Sequence, residues 1–369
     1  MEKIINKATI YSGVDSLDRL NQIENKRVWL ICDQFLVQNG SIKQIEERLQ
    51  EKNQVEVFKD VVPDPPIEVI AKGIVLAAKI KPEVMIAYGG GSSIDTAKSI
   101  LYFSKIAHIF KKVQFIAIPT TSGTGSEVTA TTVITDQQVK HPVTDEQLVP
   151  DEVILCPSLT VSVPPSVTAN TGMDVLTHAI EAYVSVNAST YSDALAEKAC
   201  ELVFDSLFTC YKEGNNLEAR SRMQQASNLA GSAFNMAGLG MNHAIAHQIG
   251  GKFHIPHGLA NSLLLTKVIE KNCMDCKAKS RYANLSRKLG FAKKEDCDSK
   301  AVTSLVKQIT NLQIQMDMPM KLSECKVKQE DLVAIIVIMS KDALQDACRL
   351  TAPSIYNNDE IVKILLSIY

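Results

Sequence analysis

The run Val84-Met-Ile-Ala-Tyr88-Gly89-Gly90-Gly91-Ser92-Ser93-Ile94-Asp95-Thr96-Ala97-Lys98 decides how the first half of the chain folds. Five apolar residues without alternation, 84–88, read as a strand buried on both faces. Three glycines break it, and helical spacing then takes over along 94–104. A strand that turns through glycine into a helix is half of a βαβ unit. Glycines at that junction let the backbone approach a pyrophosphate, and the free N–H groups of the following helix attract the anion. Neither GxGxxG nor a P-loop Lys-Ser/Thr ending is present. A tight turn would explain one glycine here better than three, so Gly89, Gly90, Gly91 and Ser92 are candidate cofactor residues.

Outward from this run the same alternation recurs. Strand-like segments fall at 27–32, 55–58 and 115–118, and helical patterns at 16–23, 41–51 and 67–78. Repeated strand then helix predicts a largely parallel, Rossmann-like sheet whose ligands collect at the carboxyl ends of its strands. At one such end lies Pro119-Thr-Thr-Ser-Gly-Thr-Gly-Ser-Glu127. Its hydroxyls and N–H groups, on Thr120, Thr121, Ser122 and Thr124, suit the phosphates and ribose of a dinucleotide. Asp33, at the end of an earlier strand, suits a ribose 2′-OH and would repel a 2′-phosphate, favouring NAD over NADP. A helix-capping aspartate fits its spacing nearly as well.

The texture changes where Pro150, Pro157, Pro164 and Pro165 punctuate an aperiodic stretch. Beyond it the period is helical, as at 194–211, 222–236, 258–271 and 332–348. Two domains are expected: an α/β dinucleotide-binding domain over 1–162 and an all-helical domain over 163–369.

The helical half concentrates metal-binding side chains. Asp174 and His178 are four apart in a helical pattern and so share one face. Of the seven histidines in the chain, four are His243, His247, His254 and His257, within 15 residues of one another. A lone histidine is ordinarily a satisfied core or surface residue. Five in two short segments beside a carboxylate point to a divalent ion with open positions, as catalysis requires. Spacing alone does not choose among those four histidines, and imidazole does not choose among zinc, iron and copper.

Bulk properties exclude several classes. The 369 residues are 46% apolar and 22% charged with a formal net charge of −2, a globular profile without a nucleic-acid footprint. No apolar run approaches the ~20 residues that span a bilayer. The start, MEKIINKATIYSG, lacks the apolar core of a signal peptide, so a cytoplasmic location is expected. Nine scattered cysteines form no disulfide framework, and Cys273-Met-Asp-Cys276 is a lone CxxC without the second pair of a zinc site.

Taken together, GGGSSIDTAK, PTTSGTGSEVT, TGMDVLTHAIEAYVS and GLGMNHAIAHQIGGKFHIPHGLAN resemble the iron-containing (group III) alcohol dehydrogenase family, whose fold is shared with dehydroquinate synthase. The resemblance runs from about Val28 to Lys271 and continues more weakly to the C-terminus. Within the family, the short connection between Lys105 and Val113 and the stretch VWLICDQFL are most similar to the branch serving bacterial 1,2-propanediol utilisation, the propanol dehydrogenases. Ethanolamine-utilisation relatives and lactaldehyde reductases are less similar. The resemblance implies Asp174, His178, His243 and His257 as metal ligands. It places His247 near the metal as a proton relay and leaves His254 without a role. It puts cofactor contacts on Asp33, Gly89 to Ser92, Thr120 to Thr124, Thr129 and Lys140. Cys156-Pro-Ser-Leu159 and Ala352-Pro-Ser354 depart from the family's usual Asp-Pro-Glu-Leu and Asn-Pro-Arg, at no ligand position.

The expected activity is reversible hydride transfer between NAD(H) and a short alcohol or aldehyde, with propanal and 1-propanol the favoured pair. Fe2+ is the expected metal and Zn2+ the alternative. A glycerol dehydrogenase or dehydroquinate synthase shares the architecture, but the latter needs basic residues for a phosphorylated substrate, and none cluster beside these ligands. A non-catalytic microcompartment scaffold or cargo protein is the other class, and the intact ligand set opposes it. The resemblance allows encapsulation among shell or enzyme partners and a homo-oligomer. No amphipathic targeting extension precedes the first strand, so encapsulation is expected to act through another surface.

Overall fold

The computed structural model describes residues 7–110, 112–136 and 139–369, except the side chains of Val139 and Lys140. It divides into two compact units, Met1–Ser162 and Val163–Tyr369.

The first unit holds β1 (Thr9–Ser12), β2 (Arg27–Asp33), α1 (Gln34–Gln38), α2 (Lys43–Leu49), β3 (Gln54–Val61), α3 (Ile67–Ile80), β4 (Val84–Gly89), α4 (Gly91–Ile106), β5 (Gln114–Pro119), β6 (Thr131–Asp136), β7 (Val139–Thr144) and β8 (Glu152–Leu155). Six strands form one sheet in the order β1-β8-β5-β4-β2-β3, each pair parallel. The apolar runs are unbroken because both faces are covered. Val28, Leu30, Ile86, Tyr88, Ile116 and Ile118 pack on one side, and Trp29, Ile31, Met85, Ala87, Phe115 and Ala117 on the other. From β2 the chain crosses outward to β3, and from β4 it crosses the opposite way to β5. The direction therefore reverses between β2 and β4, the place where open α/β sheets bind ligands.

The α/β reading holds, with differences of detail. The segment 16–23 forms a 3-10 helix, Ser16–Gln22, not an α-helix. The short edge strand β1 and the antiparallel pair β6–β7 carry no long apolar run. Strand β8, although its Val153, Ile154 and Leu155 are apolar and buried, is only four residues long between Pro150 and Pro157. None of them is among the strands expected from sequence.

The second unit consists of α5 (Pro165–Val184), α6 (Thr190–Lys212), α7 (Leu217–Ala237), α8 (Met241–Phe253), α9 (His257–Asn272), α10 (Cys276–Lys288), α11 (Asp298–Gln315), α12 (Gln329–Gln345) and α13 (Asn358–Ser367), with short 3-10 turns between some of them. No strand occurs here among the described residues. One continuous core runs from Ala169 to Ile368. From Gly172 to Val184 every residue of α5 is buried, the polar Asp174, Thr177, His178 and Glu181 among them. A helix apolar all round belongs in a core, and the polar groups it carries inward need partners there. No described helix is long and apolar enough to cross a membrane.

Candidate cofactor cradle and metal centre

In the first unit, β4 ends at Gly89 with φ +146°, a conformation open to glycine, and a side chain there would meet Ser93 Oγ at 2.3 Å. Gly90 caps α4 with extended backbone and offers no side-chain partner, so the first turn of α4 keeps N–H groups for a ligand. The neighbouring strand end is tied on by the Thr120 N–H, which donates to Gly89 O at 3.0 Å. A side chain on Gly90 would approach Thr121, and one on Gly91 would collide with Thr124, so the two predicted loops lie against each other. The Ser122 hydroxyl is buried with no hydrogen-bond partner among the described residues, an orphaned donor of the kind a phosphate oxygen satisfies. These features fit a dinucleotide.

The remaining predicted cofactor residues are placed differently. Asp33 Oδ1 accepts from Leu36 N at 3.0 Å, so the aspartate caps α1 and has Oδ2 left for a ribose. Thr129 is buried and committed inward, its Oγ1 accepting from Lys98 Nζ at 3.0 Å. The Lys140 side chain lies outside the described residues, although its backbone sits in β7 opposite Thr135.

Lys98, the residue that closes the opening motif, was not singled out from sequence. It is fully buried, and its ammonium donates to Thr129 O (2.7 Å), Thr129 Oγ1 (3.0 Å) and Thr131 O (2.9 Å). Burial lowers its pKa to about 8. It therefore pins the segment after the threonine-rich loop to α4. A lysine three positions after Asp95 on an otherwise small-residue helix face was the available signal.

In the second unit three helices each contribute residues four apart: Asp174 and His178 from α5, His243 and His247 from α8, and His257 and Asn261 from α9. Asp174, His178, His243 and His257 each offer a ligand atom, all within 4.8 Å of one another. His243 Nε2 and His257 Nε2 lie 3.8 and 3.5 Å from Asp174 Oδ1. Ligand atoms held tetrahedrally at ~2.1 Å from one ion lie about 3.4 Å apart, so the spacing fits. Asp174, His178 and His243 are 3%, 4% and 1% exposed, whereas the His257 side chain is 41% exposed, leaving the group open on that side.

Asn261 Nδ2 lies 2.7 Å from Asp174 Oδ1, 3.0 Å from His243 Nε2 and 3.2 Å from His257 Nε2. Its orientation is set by Asn242 Nδ2, which donates to Asn261 Oδ1 at 2.9 Å. Three acceptors thus converge on one positively polarised group with only two hydrogens, an arrangement that suits a cation. Burial, then the charges of His178, His257 and His247, hold His243 well below the usual histidine range, so it presents a lone pair.

His247 stands beside this group, its ring stacked 5.5 Å from that of His257, and its Nδ1 is 2.7 Å from Asp346 Oδ2. Burial raises the Asp346 carboxyl, but the hydrogen bond and charge of His247 outweigh it and hold it below the usual range. Asp346 was missed from sequence because 99 residues separate it from its partner. Glu181 was missed too: its Oε2 lies 2.6 Å from His243 Nδ1. Burial pushes its carboxyl up to about 8 against the pull of backbone N–H groups from Asn242, Gly240 and His243. His254 is the left-handed residue (φ 55°) ending α8 and is not one of the four grouped residues. Cys273 is half-buried and Cys276 exposed, and both are free thiols.

Comparison with known proteins gives the same picture for both halves. Residues 7–157 match the model of "Iron-containing alcohol dehydrogenase" and residues 168–369 that of "Fe-containing alcohol dehydrogenase family, C-terminal". The chain is 46% identical over 358 residues to a 1-propanol dehydrogenase (PduQ) of Salmonella typhimurium, covering 96% of each. It is 44% identical over 367 residues to that of Citrobacter freundii, covering 99% of each. The solved iron-containing alcohol dehydrogenase of Thermococcus thioreducens superposes with a TM-score of 0.91 at 31% identity, covering 100% of this chain and 99% of that one. The chain belongs to the iron-containing alcohol dehydrogenase family and is an NAD-dependent alcohol dehydrogenase.

Proposed function

We propose that this enzyme interconverts a short aldehyde and its alcohol, with propanal and 1-propanol as the pair, using NAD(H) and one divalent ion. The observation that carries the reading is the convergence of Asp174, His178, His243 and His257, whose separations suit a single ion. The two 1-propanol dehydrogenases at 44% and 46% identity support the substrate. When bound, the ion supplies Lewis acidity toward the substrate oxygen and the nicotinamide supplies the hydride.

The chain's own residues do the rest. Asp174 and the three imidazoles hold the ion, and the exposed side at His257 leaves room for substrate. Gly89 to Ser92 and the Thr120–Thr124 loop bind the pyrophosphate through N–H and hydroxyl donors, and the Asp33 Oδ2 takes a ribose hydroxyl. His247 holds or passes the proton: with Nδ1–H donated to Asp346, its Nε2 is the basic nitrogen. Fe2+ is the proposed metal, with Zn2+ able to compete because it binds nitrogen and oxygen ligands more tightly.

A panel of two- to four-carbon aldehydes, assayed by NADH oxidation on protein reloaded separately with Fe2+ and Zn2+, tests this reading. Turnover is expected to be highest with propanal. Absence of turnover with every aldehyde in protein that binds both NADH and metal would overturn it. The resemblance also supports work inside a bacterial microcompartment as a homo-oligomer. Co-purification with shell proteins is the expected result, and a protein that never associates with them contradicts it.

A further inference from the structure

Three of the four candidate ligands, Asp174, His178 and His243, are buried polar groups, and each needs its remaining atoms satisfied. For His243 the partner is on the same helix as two of the ligands. Glu181 stands three residues after His178 on α5, is buried, and has Oε2 2.6 Å from His243 Nδ1. Its Oε1 accepts from Asn242 N at 2.7 Å, and backbone N–H groups of Gly240 and His243 also hydrogen-bond it. The carboxyl group therefore sits at the N-terminus of α8, against the positive end of that helix, and simultaneously against the imidazole. Gly240 makes this approach feasible, since a side chain there would meet Glu181 Oε1 at 2.6 Å.

The direction of the imidazole bond follows from the other ring nitrogen. His243 Nε2 faces Asn261 Nδ2, an N–H donor, at 3.0 Å, so Nε2 carries the lone pair. A neutral imidazole has one N–H, which must then be on Nδ1, donating to Glu181. We propose that Glu181 is a positioning residue that locks His243 in the Nδ1–H tautomer with its Nε2 lone pair aimed at the metal, and docks α8 against α5 in the same contact. This rests on reading the four-residue group as a metal site.

The isosteric variant Glu181→Gln separates this role from packing. Its amide nitrogen must face either Asn242 N–H, donor against donor, or His243 Nδ1, which forces the proton onto Nε2 and blocks the ligand position. Glu181→Gln is therefore expected to bind Co2+ about 10- to 100-fold more weakly than wild type, with a shifted visible d–d spectrum. Wild-type affinity together with an unchanged spectrum would overturn the proposal. Should the variant not fold, nitrogen-15 spectra of the histidines in zinc-loaded wild type decide. Nδ1 of His243 protonated is expected, and Nδ1 unprotonated overturns it. Asp174→Ala distinguishes the two readings. If it binds Co2+ like wild type, the metal site itself is wrong. If it loses binding while Glu181→Gln does not, only the role of Glu181 falls.

Discussion

The two units present their ligands by opposite means. In the first, the proposed cradle is mostly backbone: Gly89 turns a strand into a helix, and the Gly90 cap gives the first turn of α4 no side-chain partner. In the second, the proposed site is side chain: one carboxylate and three imidazoles from three helices, contacted by Glu181 and Asn261. A backbone site depends on conformation and tolerates loss of a neighbouring hydroxyl. A side-chain site fails when any donor is removed, because the others remain buried without a partner.

The largest test of that contrast is Asp174→Ala. It removes the only anionic donor of the four, and aldehyde turnover is expected to fall at least about 10³-fold, since metal polarisation contributes several kcal/mol. Metal analysis of the purified variant should show loss of the ion in step. Next is Lys98→Met in the first unit, which leaves two backbone carbonyls and a hydroxyl without their donor. Thermal and urea unfolding should report destabilisation by about 2–4 kcal/mol, with metal content unchanged. Smaller again is Gly89→Ala, which strains a +146° φ and presses on Ser93. The KM for NADH is expected to rise on the order of 10-fold, while Ser92→Ala should change it less than about 3-fold, because the N–H groups remain. Equal effects of the two would break the claim that the cradle is built from backbone. Smallest is His254→Gly, which relaxes a left-handed residue. Stability should change by no more than about 1 kcal/mol and metal content not at all.

The same contrast explains what sequence alone revealed. The parallel sheet was legible because 84–88 and 115–118 are buried on both faces and so stay apolar without interruption. The edge strand β1 and the β6–β7 pair were not, since short or half-exposed strands leave no such run. In the helical unit, i, i+4 spacing placed Asp174 with His178 and His243 with His247, and the structure brings three of those together with His257. Spacing left His254 and His257 equivalent. The difference is that one ends α8 in a left-handed turn while the other opens α9. The supporting residues were hidden for a different reason. Glu181 and Asn261 look like ordinary helix residues until the helices pack, and Asp346 meets His247 across 99 positions. Lys98 illustrates the converse, a charge inside a visible motif whose partners lie 31 and 33 residues on, at the entry to β6.

The most direct test of the central claim is an anomalous-scattering map at the zinc edge from crystals of the zinc-loaded protein. One peak is expected, about 2.0–2.2 Å from ligand atoms of Asp174, His178, His243 and His257. A peak instead at the neighbouring group of His247, Asp346 and Cys348, or one without Asp174 among its ligands, would contradict the account.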